Sequence, residues 1–245
     1  MKNKLGIAFA NNDAVVVFNK IDTASDNGKT GAMVQSWILV NSDVAPHKLV
    51  KSGEDSNCGT CTLKSGNGCY VRTYQAPHAV WSAFNRGRYA IVGQDISESD
   101  AYAMLEDKAV RIGSYGNPSF GSQLVDWNRV AAGAASHTGY DHEWRTADLQ
   151  TAVMASVHTA EERSEAKARG YRTFRTVSSI EDLEDDEILC PASEEAGRKT
   201  TCERCGLCSG TSTNSKKDVA IVAHGSGAKK VKEMAVPISA IKRAA

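Results

Sequence analysis

"TAVMASVHTAEERSEAKARGYRTFRTV", residues 151–177, decides the fold class. Its two ends, 151–157 and 171–177, are short apolar and β-branched runs, and its middle carries helix signals. Thr159 followed by Glu162 is a capping-box pattern, and Gly170 supplies a C-terminal stop. Strand, helix, strand is a βαβ unit, and two adjacent strands joined that way run parallel.

The same alternation extends outward. Further strands are expected at 31–40, 109–115, 140–145, 187–192 and 219–224, and "AVVVFNKI" (14–21) adds a hairpin or a strand near the start. In "APHAVWSAFNRGRY" (76–89), Pro77 suits a first helical position while Val80, Trp81 and Phe84 share one face. Leu124, Trp127 and Val130 are spaced the same way. Strands and helices alternating like this imply a mostly parallel sheet with helices outside. The expectation is one α/β domain over residues 1–245, with a complete or incomplete (β/α) barrel-like core and a C-terminal cysteine-rich, metal-binding insertion.

The 245 residues are 41% apolar, with 29 Lys plus Arg balanced by 29 Asp plus Glu. A core can form, and zero net charge argues against a nucleic-acid coat. The N-terminal "MKNKLGIAFANND" lacks a signal-peptide apolar region, and no apolar run reaches membrane-spanning length. The expected setting is cytoplasmic, with no membrane partner.

All seven cysteines fall into two groups. Cys190, Cys202, Cys205 and Cys208, in "CPASEEAGRKTTCERCGLC", form C-x11-C-x2-C-x2-C in the segment 190–210. Cysteines two residues apart can turn their sulfurs onto one ion, and four of them fit zinc or a [4Fe–4S] cluster. Cys58, Cys61 and Cys69, in "NCGTCTLKSGNGCYVRTYQ" (57–75), form C-x2-C-x7-C with no fourth thiol left over. Three readings of this loop stand. His47 or His78 completes a zinc site; the thiols hold an iron–sulfur cluster with one open iron; or two of them form a redox pair.

The expected ends of the parallel strands hold polar side chains, where α/β chemistry collects. Ser114, Gly116 and Asn117 follow the second strand; Glu143 and Arg145 end the third and share a face if 140–145 is extended. His158, Arg175, Cys190 and His224 end later ones. "GSYGNP" and "HGSG" are glycine-rich turns that can offer backbone N–H groups, yet neither matches a P-loop or dinucleotide fingerprint. "EDLEDDE" (181–187) is a solvated connection.

A three-cysteine loop between an early barrel strand and a helix, with Tyr70 beside the last cysteine, resembles radical S-adenosylmethionine enzymes. The C-terminal cysteines resemble their auxiliary-cluster regions, and "RIGSYGNP" is similar to their glycine-rich cofactor-contacting segment. Those enzymes space their cysteines C-x3-C-x2-C, unlike this chain. The phrases "GSYGNP", "CPASEEAGRKTTCERCGLC" and "VAIVAHGSG" also resemble an uncharacterised family of phage and plasmid proteins. The resemblance implies an iron–sulfur enzyme of phage or mobile-element origin. Cys58, Cys61 and Cys69 would hold the active cluster, and Ser114, Gly116, Asn117, Glu143 and Arg145 would line an S-adenosylmethionine pocket. The competing expectation is a zinc-stabilised, non-enzymatic protein that binds nucleic acid or a host protein.

Overall fold

The computed structural model describes residues 4–23, 27–64, 67–212, 215–225 and 227–234. The chain begins with an antiparallel meander: β1 (Gly6–Ala10), β2 (Ala14–Asn19) and β3 (Val34–Val40). The Asn11 side chain accepts from the amides of Asp13 and Ala14, closing the first hairpin. After β3 come α1 (Pro46–Ser52), the three-cysteine loop and α2 (Ala76–Asn85), then β4 (Ala90–Ile91) and α3 (Glu98–Ala103). The remaining strands are β5 (Ala109–Tyr115), β6 (Ser136–Asp141), β7 (Met154–Val157), β8 (Thr173–Val177), β9 (Glu187–Leu189) and β10 (Asp218–Val222). Helices α4 (Pro118–Gly121) and α5 (Trp127–Gly133) join β5 to β6, and α6 (Ala160–Ala168) joins β7 to β8. The short α7 (Cys202–Cys205) lies between β9 and β10, and α8 (Ala228–Met234) follows β10.

The strands form one sheet in the order β4-β1-β2-β3-β5-β6-β7-β8-β10-β9. All pairs from β3 to β9 are parallel, as the alternation predicts. The βαβ unit of residues 151–177 is present, with half of the expected capping box: the Glu162 carboxylate accepts from the His158 amide at 2.8 Å and not from that of Thr159. Thr159 Oγ1 accepts from the Glu162 amide at 3.1 Å, and Gly170 ends the helix with φ 83°.

The barrel is corrected to an open sheet. Strand β4 pairs with β1 alone and β9 with β10 alone, which leaves two edges. The antiparallel β1–β2–β3 meander extends the sheet past β3, and the chain leaving α2 adds to its far side through β4, so the two ends never meet. The expected strand 140–145 is also displaced. Strand β6 ends at Asp141, whose carboxylate accepts from the Glu143 amide at 3.0 Å and from Ser119 Oγ at 3.0 Å, turning the chain there.

Helix α2 packs Val80 and Ala83 against Ala8, Val15, Val17 and Leu39 on one face of the meander. Full burial of a side chain such as Val80 contributes about 1.5–3 kcal/mol. The opposite face carries the larger cluster of Phe18, Ile38, Ile112 and Trp127, and the Trp127 indole donates to the Pro118 carbonyl at 2.7 Å. The face bearing α2 also carries Cys58, packed near Tyr115.

Candidate functional site

Every second residue on five adjacent strands lines one cavity of about 370 Å³. Arg111 and Gly113 come from β5, Thr138 and Tyr140 from β6, and Phe174 and Thr176 from β8. Ser156 and His158 come from the end of β7, and Ile221 and Ala223 from the end of β10. Side chains that alternate across a strand thus present one continuous face to this space.

The three-cysteine loop caps the carboxyl ends of β5 and β6. Its C-x2-C turn is tight: the Cys58 amide donates to Asp55 O at 2.9 Å and the Cys61 amide to Cys58 O at 3.1 Å. The Asn117 side chain donates to Cys58 O at 2.9 Å, and the Asn57 side chain donates to Ile38 O at 2.8 Å. Glu143 accepts from both the amide and the hydroxyl of Thr60. A Cβ on Gly116 would stand 2.3 Å from Ile38 O, and its φ of 81° favours glycine, so the "GSYGNP" turn can press this close to β3 only with glycine there. Cys58, Cys61 and Cys69 all line the cavity.

Burial pushes the Cys58 thiol up to about 12, with the Asp55 carboxylate adding to the rise, and burial pushes Cys61 up to about 11. Both are neutral thiols at neutral pH unless a cation sits beside them, since the thiolate is the ligating form.

The four-cysteine segment lies along the amino half of β6. The Gly139 amide donates to Cys208 O at 2.9 Å, and Ser136 Oγ donates to Glu203 O at 3.2 Å. Arg172 donates to Leu207 O at 2.7 Å and Gly210 O at 2.8 Å, fixing the loop beyond the last cysteine. All four cysteines surround a small cavity of about 30 Å³. Lys29, Thr138, Tyr140, Phe174 and Cys202 line both spaces and form the wall between them. Tyr140 and Phe174 rings lie 4.1 Å apart in that wall. All seven cysteines are free thiols. Among the described residues, no three His, Cys, Asp or Glu side chains converge closely enough to hold a metal ion.

The chain matches no protein family, curated protein or solved structure.

Ser114, Gly116 and Asn117 line the cavity. Ser114 Oγ is already engaged, donating to Gln35 Oε1 at 2.8 Å. Glu143 and Arg145 do not line it, which corrects their expected placement. The chain has already left β6, so the strand alternation does not reach them. Glu143 holds the three-cysteine loop, and Arg145 lies over the Trp144 ring and pairs with Glu162 and Glu165 of α6. Arg175 points away as well, into a buried ion pair with Glu187. Neither His47 nor His78 lines the cavity; the rings pack edge-on at 5.3 Å, with His78 also against Trp81. His142, His158 and His224 line it instead. In the "HGSG" turn, Ser226 lies outside the described residues.

His142 and His158 stack at 5.7 Å, and both ring nitrogens of His158 are buried without a hydrogen-bond partner among the described residues. Burial, reinforced by His158, pulls His142 down to about 3. His158 and His224 are also lowered, chiefly by burial. The cavity therefore presents neutral imidazoles above mildly acidic pH. Sequence reasoning passed over Arg111 and Tyr140. Counting back by twos from Gly113 along β5 would have found Arg111.

No helix among the described residues is long and apolar enough to cross a membrane.

Proposed function

We propose that the protein is an iron–sulfur enzyme of the radical S-adenosylmethionine kind, phage- or mobile-element-encoded, acting on a small molecule in the cavity. One observation supports it above others: Cys58, Cys61 and Cys69 line the same cavity as Cys202 of the second group. In this reading Cys58, Cys61 and Cys69 hold the active cluster, and Cys190, Cys202, Cys205 and Cys208 hold an auxiliary one. The donor type supports the reading, because these are thiols at tight-turn spacing whose ligating form a cation would stabilise; loading would have to draw them together, since no three converge among the described residues. When bound, such a cluster supplies an electron at the cavity. The chain's own groups position the ligand: the backbone of the Gly113–Asn117 turn reaches the cavity, with Tyr140 and Phe174 as an aromatic wall.

The test is anaerobic purification followed by iron, acid-labile sulfide and zinc assays. Brown protein with iron and sulfide in near-equal amounts is expected. Colourless protein holding zinc and no sulfide would overturn the reading in favour of a zinc-stabilised, non-enzymatic protein that binds nucleic acid or a host protein.

A further inference from the structure

Across the whole chain, cations and anions balance at 29 each, yet the described lining of the main cavity contains Lys29, Lys64 and Arg111 and no Asp or Glu. The nearby Glu143 is turned onto the amide and hydroxyl of Thr60. Arg111 is the central member of the cationic set. It stands half-buried on β5, and its one hydrogen bond among the described residues is a long contact of 3.5 Å to the Tyr70 hydroxyl. No carboxylate among the described residues pairs with it, although Arg163 and Arg175 each have one.

The five donors of the Arg111 guanidinium form a fork suited to carboxylate or phosphate, and neither is supplied by the chain's own described residues. Cys202 of the four-cysteine group lines the same space as an electrostatic neighbour, but burial keeps its thiol neutral, so the guanidinium charge is left unbalanced. The small cavity that all four cysteines surround is lined by Lys29 and not by Arg111. Arg111 faces the large space, beside the Tyr140 and Phe174 rings.

We infer that the cavity binds a small organic anion, with Arg111 gripping its carboxylate or phosphate and the Tyr140–Phe174 wall covering an apolar or flat body. The occupant's size is bounded by the 370 Å³ available, which is in the range of small-molecule sites. The inference does not depend on which metal the cysteines hold, so it stands or falls separately from the cluster reading.

The experiment is calorimetric titration of the protein as purified with phenyl phosphate, benzoate and neutral benzamide. At least one anion is expected to bind about tenfold or more tighter than benzamide, which corresponds to about 1.4 kcal/mol. Preference for phenyl phosphate identifies a phosphate ligand; preference for benzoate identifies a carboxylate. Arg111→Met is expected to abolish the preference while leaving the melting temperature within a few degrees of wild type, because the half-buried guanidinium holds no carboxylate. Should that variant fail to fold, Arg111→Gln takes its place with the same expected loss. Equal or absent binding of all three probes overturns the inference. So does an anion preference that survives in the folded Arg111 variant.

Discussion

Asn117 accepts a hydrogen bond from the ring Nδ1 of His142 at 3.0 Å. The direction is fixed by its other contacts: the Asn117 amide nitrogen donates to Cys58 O, so its oxygen is the side facing His142. His142 therefore carries its proton on Nδ1, and Nε2 is left as the basic nitrogen. One side chain thus links the three-cysteine loop to the histidine pair. Asn117→Ala should lower stability by about 2 kcal/mol for the two lost bonds. It should also increase hydrogen exchange in residues 57–61, and both effects are measurable on the purified chain.

The low pKa of His142 makes stability pH-dependent. Its folded value, about 3, lies below the ordinary 6.5, so the unfolded chain binds the proton first as pH falls. The stabilising contribution is complete above about pH 6.5 and is lost progressively as pH falls towards about 3. Asp141, raised to about 6 mainly by burial, works in the opposite direction between about pH 6 and 4. Comparing wild type with His142→Gln isolates the histidine. The variant should gain on the wild type by roughly 1–3 kcal/mol between about pH 7 and about pH 4 in denaturant titrations. A pH-independent difference would show that His142 titrates normally.

Cys58→Ser and Cys205→Ser should separate the two cysteine groups. Under the proposed function, Cys205→Ser lowers the melting temperature, because metal binding in a closed four-ligand segment contributes directly to folding. Cys58→Ser leaves the fold melting within a few degrees of wild type and removes roughly half of the iron. Equal loss of folding from both changes would count against an open, working site at residues 57–75.

The Arg175–Glu187 pair is structural. Their side chains are 4% and 0% exposed, and they join β8 to β9 across β10. Arg175→Met should destabilise by up to about 3–5 kcal/mol, because it leaves the buried Glu187 carboxylate only the Arg163 contact at 3.4 Å and the Glu184 amide. In Arg175→Met/Glu187→Leu, most of that loss should be recovered, and any activity later assigned to the cavity should be retained.

Much of this architecture was legible because it rests on local rules. The parallel arrangement follows from strand–helix alternation, and Thr159 and Gly170 mark the limits of α6 from sequence alone. β5 spans the expected residues 109–115. Closure was not legible. Whether β4 joins β1 or a later strand depends on long-range pairing, to which a two-residue strand contributes almost no signal. The candidate site was half legible for a related reason. The cysteine groups and the "GSYGNP" turn are composition and spacing, which one chain displays. Glu143 and Arg145 were misplaced because one boundary shifted: ending β6 at Asp141 removed the alternation that would have aimed them inward. Arg111 lies inside a strand rather than at its end, so a search confined to strand ends passed it by.

The insertion of β10 between β8 and β9 has a consequence for the order of assembly. β9 pairs only with β10, and β10 is synthesised later, after the whole four-cysteine segment has emerged. Until Asp218–Val222 arrives, Glu187–Leu189 has no partner, and Cys190 to Cys208 hang between a finished sheet edge and an unmade strand. Under the proposed function, the segment is then at its most accessible to incoming metal. Pairing with the final strand, whose Ala220 carbonyl accepts from the Cys190 amide at 2.8 Å, then fixes the start of that segment.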